Sequence, residues 1–188
     1  MSRYSLLCAL AIAGAALAFA LGHATAQEEF QPPKWMEPTQ EHADLAKSVG
    51  TWEVSANYYM VPGQALPFAG VAVRKSILNG RFIEETFTCD FGGMPFEGHL
   101  LQGYDTNTKE FVHVWVDSSS PHIDIARGTM KDGVLTTRSN GPDMTGAMRA
   151  KRSTMKVIGP DHTEMKMYQN DASGKEQLMM DMVYKRKK

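Results

Sequence analysis

Residues 82–91 place Ile83, Phe87, Cys89 and Phe91 on one face and Glu84, Thr86, Thr88 and Asp90 on the other, the period-2 alternation of a half-buried strand. Glu85 breaks the pattern by falling on the apolar face. An ionised carboxylate left unpaired there would cost on the order of several kcal/mol, so Glu85 needs a partner or a proton. Arg127, which shares a face with Ile123 and Ile125 on a later run, is the expected partner. Pointing inward, Glu85 and Arg127 would orient the polar group of a ligand in an otherwise apolar cavity with Phe87 in its wall. A structural ion pair, or a Glu85 that sits wet at a rim, are the competing readings.

Residues 111–117 carry Phe111, His113, Trp115 and Asp117 on one face and Val112, Val114 and Val116 on the other. Both faces are largely apolar, so which one turns inward stays open. If it is the first, His113 and Trp115 line the cavity; a histidine beside a tryptophan also serves as a hydrogen-bonded packing residue.

Other groups carry less. His113, Asp117, His122 and Asp124 are metal-ligating types, but on an extended strand His113 and Asp117 stand about 13 Å apart, and His122-x-Asp124 alone offers two ligands where zinc takes three or four. No metal and no other cofactor is therefore expected. Met165, Met167, Met179, Met180 and Met182 are soft ligands suited to copper(I), or else fillers of an irregular apolar wall. Ser118, Ser119 and Ser120 lie near His122 without a nucleophile elbow, Cys89 faces the apolar side of its strand, and no glycine-rich loop leads into a helix. No catalytic residue is assigned.

The elements that must position these residues are strands. Residues 39–49 hold the one helical pattern: Thr39 can cap it, Leu45 and Val49 are spaced four apart, and Gly50 can end it. Alternating or apolar runs then follow at residues 52–60, 68–78, 82–91, 95–104, 111–117, 123–130, 134–139, 147–158, 163–169 and 177–185. Between them stand Pro62-Gly63, Asn79-Gly80, Gly92-Gly93, Asp132-Gly133, Gly141-Pro142, Gly159-Pro160 and Ser173-Gly174. Ten strands with short links predict an all-β fold, an antiparallel up-and-down β-barrel with one short N-terminal helix, in preference to a Greek-key sandwich that needs longer crossovers. Closure also removes exposed sheet edges.

Residues 1–26 have the form of a cleaved secretory signal: Arg3, an apolar stretch from Leu6 to Leu21, and small residues at Ala24 and Ala26. That stretch is shorter than the roughly 20 residues needed to span a bilayer, so a periplasmic or secreted protein without a membrane span is expected. Residues 27–38, with Pro32, Pro33 and Pro38, predict a flexible lead, and residues 39–188 one domain. The formal net charge is −1, and losing Arg3 with the signal makes it one unit more negative, which excludes nucleic acid as an expected partner. Cys89 would be the one cysteine left after cleavage, so no internal disulfide is expected.

Gly50-Thr51-Trp52 after a short helix resembles the opening of lipocalins and the wider calycin group, in which the tryptophan plugs one barrel end and a basic residue near the last strand packs over it; Arg186 or Lys185 would take that part. Together with ILNGRFIEETF at residues 77–87, GMPFEG at 93–98, Gly103-Tyr104-Asp105, Trp115-Val116-Asp117-Ser118 and the closing Val183-Tyr184-Lys185-Arg186, the chain resembles the bacterial family known as domain of unknown function 1579 over roughly residues 41–186. The resemblance implies a calycin-like barrel and supplies no activity, cofactor or catalytic residue. The expected role is binding of a small hydrophobic or amphipathic ligand inside the barrel. The alternatives are an interaction or structural module with a filled core, and an enzyme on a hydrophobic substrate with Glu85 or His113 as acid or base.

Overall fold

Period-2 alternation and turn residues at short intervals give a continuous meander. The computed structural model describes residues 31–61 and 63–188. Its strands are β1 (Gly50–Val61), β2 (Gln64–Ile77), β3 (Phe82–Phe91), β4 (Met94–Asp105), β5 (Glu110–Asp117), β6 (Ser120–Lys131), β7 (Val134–Pro142), β8 (Met148–Gly159), β9 (His162–Asn170) and β10 (Glu176–Arg186). Each pairs antiparallel with its neighbour in sequence, and β10 pairs with β1, so the sheet closes into a ten-stranded up-and-down barrel. The chain divides into Met1–Pro33 and Lys34–Lys188, and every element among the described residues lies in the second unit. The expected signal at residues 1–26, and residues 27–30 of the expected lead, lie outside the described residues.

The hairpin between β3 and β4 shows how the turns fix the register. Phe91 pairs with Met94, leaving Gly92 and Gly93 as a two-residue loop with φ of 65° and 88°, which glycine adopts without strain. The loop therefore puts Ile83, Glu85 and Phe87 inside, where they are 1%, 3% and 4% exposed.

One barrel end is plugged. Helix α1 (Gln40–Ala46) starts at Thr39, whose backbone N–H donates to His42 Nδ1 at 2.9 Å, and it packs against β3 and β4. It is shorter than expected because the chain bends at Ser48, whose carbonyl accepts from Trp52 Nε1 at 2.9 Å. Of the two basic candidates, Arg186 covers Trp52: its guanidinium lies 4.3 Å from the ring centroid and donates to the Lys47 carbonyl at 2.8 Å. Gly50 leaves it room, since a Cβ there would meet Arg186 Nη1 at 2.6 Å. Before the helix, a 3-10 turn at Lys34–Met36 is tied to the barrel by Thr106 Oγ1, which donates to the Trp35 carbonyl at 2.7 Å. The end of the expected lead is thus anchored.

The apolar core gathers on one side of the interior: Trp52, Val54 and Ala56 of β1, Ala72 of β2, Phe87 of β3, and Met182 and Tyr184 of β10. Met165 and Met167 stand opposite Met182 and Met180 across the β9–β10 ladder, and Met165 and Met180 pack on that core as apolar filler.

The strand β6 corrects an expectation. Ile123, Ile125 and Arg127 face outward, 58% and 54% exposed for the two isoleucines, while His122, Asp124, Ala126 and Gly128 face inward. The reason is volume. His113 and Trp115 of β5 stand opposite the small Ala126 and Asp124, and at Gly128 a Cβ would lie 1.8 Å from the Thr136 carbonyl oxygen, so no side chain fits at 128.

Candidate functional site

Two polar groupings lie inside the barrel. The first surrounds Glu85. Its partner is Arg74 of β2, directly opposite in the ladder, and Arg74 Nε donates to Glu85 Oε2. Both side chains are buried, at 5% and 3% exposure. The Arg74 guanidinium lies between two rings, 5.4 Å from the Trp52 centroid and 4.9 Å from that of Tyr184. Burial and the Glu85 charge push the Tyr184 hydroxyl pKa up, so it stays protonated.

Arg127 is not part of this grouping. It is half exposed on the outer face, 3.9 Å from Asp105 and 3.8 Å from Glu110. The expected Glu85–Arg127 pair fails because β6 turns that face outward.

The second grouping lies on the inner faces of β5, β6 and β8. His113 and Trp115 point inward, which settles the face left open by the sequence. The Trp115 indole lies over Gly98, where a Cβ would come within 2.2 Å of the ring, and its Nε1 donates to Asp117 Oδ2 at 2.8 Å. Desolvation works against ionisation of Asp117, but hydrogen bonds from Ser119 and Trp115 outweigh it and hold the carboxyl below the usual carboxylate range.

Asp124 stands opposite Trp115, is diagonal to His113, and pairs with Lys151 Nζ through Oδ2. Burial pushes the His113 pKa down to about 4; the Arg74 charge adds to the shift and Asp124 opposes it. The ring is therefore neutral near pH 7. Three buried atoms here have no hydrogen-bond partner among the described residues: His113 Nε2, His122 Nε2 and Asp124 Oδ1. His122 Nε2 and Lys151 Nζ converge on the space left by Gly141, 3.5 and 3.2 Å from where its Cβ would sit.

Opposite this polar side stands an aromatic one. Phe87 and Phe96 meet edge to face at 6.1 Å, and Phe68, Phe91 and Tyr58 continue the contact toward the end away from α1. Cys89 lies among them; burial pushes its thiol pKa up, and Asp90 adds to the shift, so it is a poor nucleophile. Among the described residues no three His, Cys, Asp or Glu side chains form a metal-binding group.

Sequence reasoning missed Arg74, Lys151 and the glycines. Arg74 carried the same signal as Glu85, a charge continuing the face of Phe68, Gly70 and Ala72. Gly98 and Gly141 inside strands mark places where a side chain comes close. A groove of about 690 Å³ also lies outside the barrel, lined by Trp35, Met36, Leu101, Val112 and Val114 among others, and it contains none of the candidate residues.

These features define a closed meander barrel, plugged at one end, whose interior is apolar on one side and polar on the other. The chain belongs to the family described as protein of unknown function DUF1579, whose model matches residues 37–186. A solved structure from Nostoc punctiforme PCC 73102, a protein with unknown function from the DUF3598 family, is 8% identical, with the match covering 80% of this chain and 100% of that one at a TM-score of 0.24. No curated protein matches the sequence.

Proposed function

We propose that the protein binds a small amphipathic molecule inside the barrel, its apolar body against Phe87, Phe96 and Trp115 and its polar end at His113, His122 and Asp124. The observation that supports this reading is the set of buried polar atoms without protein partners facing an aromatic surface. An unmet buried donor or acceptor costs about 1–3 kcal/mol, and a ligand that pairs with these atoms recovers that cost. Glu85 and Arg74, already joined to each other, form the floor beneath the site in this reading. Residues 1–26 support export to the periplasm or beyond, which cell fractionation tests through the position of the mature N-terminus.

The direct test is titration with N-phenylnaphthylamine, read by probe emission and by quenching of tryptophan. The expected result is saturable binding that is lost in Ala126→Leu, which fills the space opposite His113. Circular dichroism checks that this variant keeps its fold. Native mass spectrometry of protein purified from its own host adds a second readout, an added mass released by organic solvent. The absence of both saturable binding and added mass would overturn the reading.

A further inference from the structure

We infer that the ligand's polar end is uncharged and donates a hydrogen bond, as a phenol or an alcohol does, rather than being a carboxylate or an ammonium group. This rests on the proposed binding site and narrows what it takes. Each ionic group of the inner surface already has a partner: Glu85 has Arg74, Asp124 has Lys151, Asp117 has the Trp115 N–H and Ser119, and at the rim Arg149 Nε reaches Asp143 Oδ2 at 2.9 Å. An anionic end would find no unengaged cation among the described residues of the inner surface, and a cationic end would compete with Lys151 for one carboxylate. Either would be buried without a counter-charge, at a cost of several kcal/mol on the usual scale for unpaired ions.

Hydrogen bonding supplies the positive half. Asp124 Oδ1 is an acceptor with its partner oxygen already committed to Lys151, so it calls for a donor. The neutral His113 ring, diagonal to Asp124 across the β5–β6 ladder, and His122, two residues before Asp124 on the same face, each carry a buried Nε2 without a partner among the described residues. A hydroxyl both donates and accepts, so one group donates to Asp124 Oδ1 while receiving from a ring N–H. Ketones, ethers and esters lack the proton, and hydrocarbons lack both functions. A hydrogen bond to a charged, desolvated acceptor makes this discrimination about tenfold or more.

The test is a matched series on the full chain: naphthol, naphthoate, naphthylmethylammonium and unsubstituted naphthalene, each titrated at pH 7 by calorimetry and tryptophan quenching. Naphthol is expected to bind about tenfold more tightly than the other three. The double variant Asp124→Leu with Lys151→Met removes the ion pair as a unit. It is expected to cut the naphthol advantage over naphthalene to under about twofold. His122→Leu keeps the ion pair, serves if the double variant fails to fold, and is expected to cut the advantage by about threefold. Equal binding of naphthol and naphthalene overturns this inference and leaves the cavity reading standing, as does tightest binding by either ion. Binding of none of the four overturns both.

Discussion

Lowering the pH from 7 to 5 protonates the His113 imidazole in the unfolded chain and leaves it neutral in the barrel. Its folded pKa is about 4, depressed by burial and by Arg74 of β2 against the opposing pull of Asp124 of β6. The unfolded value is about 6.5. A histidine with a depressed folded pKa gives stability that is fully present above the unfolded pKa. That stability is lost as the pH falls from about 6.5 toward 4, because only the unfolded state gains the proton. With these two values the loss is about 2 kcal/mol between pH 7 and 5 and approaches about 3 kcal/mol at pH 4. His113 keeps some exposed surface, so water relieves part of the penalty and these figures are ceilings. The assay is urea unfolding followed by circular dichroism at pH 7, 6 and 5. At ordinary urea sensitivity the midpoint should fall by about 1 M over that range. His113→Gln should flatten the dependence. Asp171, held near pKa 2 by Ser173 and Gln177, gives stability that disappears only below about pH 4, outside this window. An unchanged slope in His113→Gln would refute the assignment.

Arg74→Met should destabilise the barrel by about 3–5 kcal/mol, because it leaves Glu85 buried without its partner, whereas Arg74→Met combined with Glu85→Leu should recover most of that loss; a single variant within 1 kcal/mol of wild type in urea unfolding would contradict a buried pair. Arg127→Leu removes two long contacts on an exposed face, so stability should change by less than about 0.5 kcal/mol and naphthol affinity not at all. A measurable loss of affinity would return Arg127 to the site.

The strands were legible because alternation and turn chemistry agree at each link. Glu85 was legible as inward for the same reason, since Ile83 and Phe87 fix its face. Its partner was not, because hydrophobicity drew attention to Ile123 and Ile125 when the space inside is rationed by size. Ala126 and Gly128 mark the inward face of β6 by their smallness, and Gly70 and Ala72 do the same for β2 beside Arg74. Lys151 was hidden differently. Lys151 and Ser153 alternate with Arg152, so the inner face of β8 reads as polar as the outer one, and only the Asp124 contact across the barrel distinguishes them. The orphaned nitrogens of His113 and His122 depend on which neighbours fail to reach them, a property no spacing encodes.

The ladder between β1 and β10 sets a condition on how the molecule is made. Trp52 pairs with Arg186, and Tyr58 with Met180, so the first strand of the sheet finds its second neighbour only in the last. A chain growing from its amino terminus holds nine strands with two raw edges until the tenth is released, and each edge offers unpaired amides to any other chain nearby. Trimming β10 would therefore do more than shorten the sheet. It would turn a closed ring into a strip with adhesive borders, and the expected product of such a truncation is an aggregate.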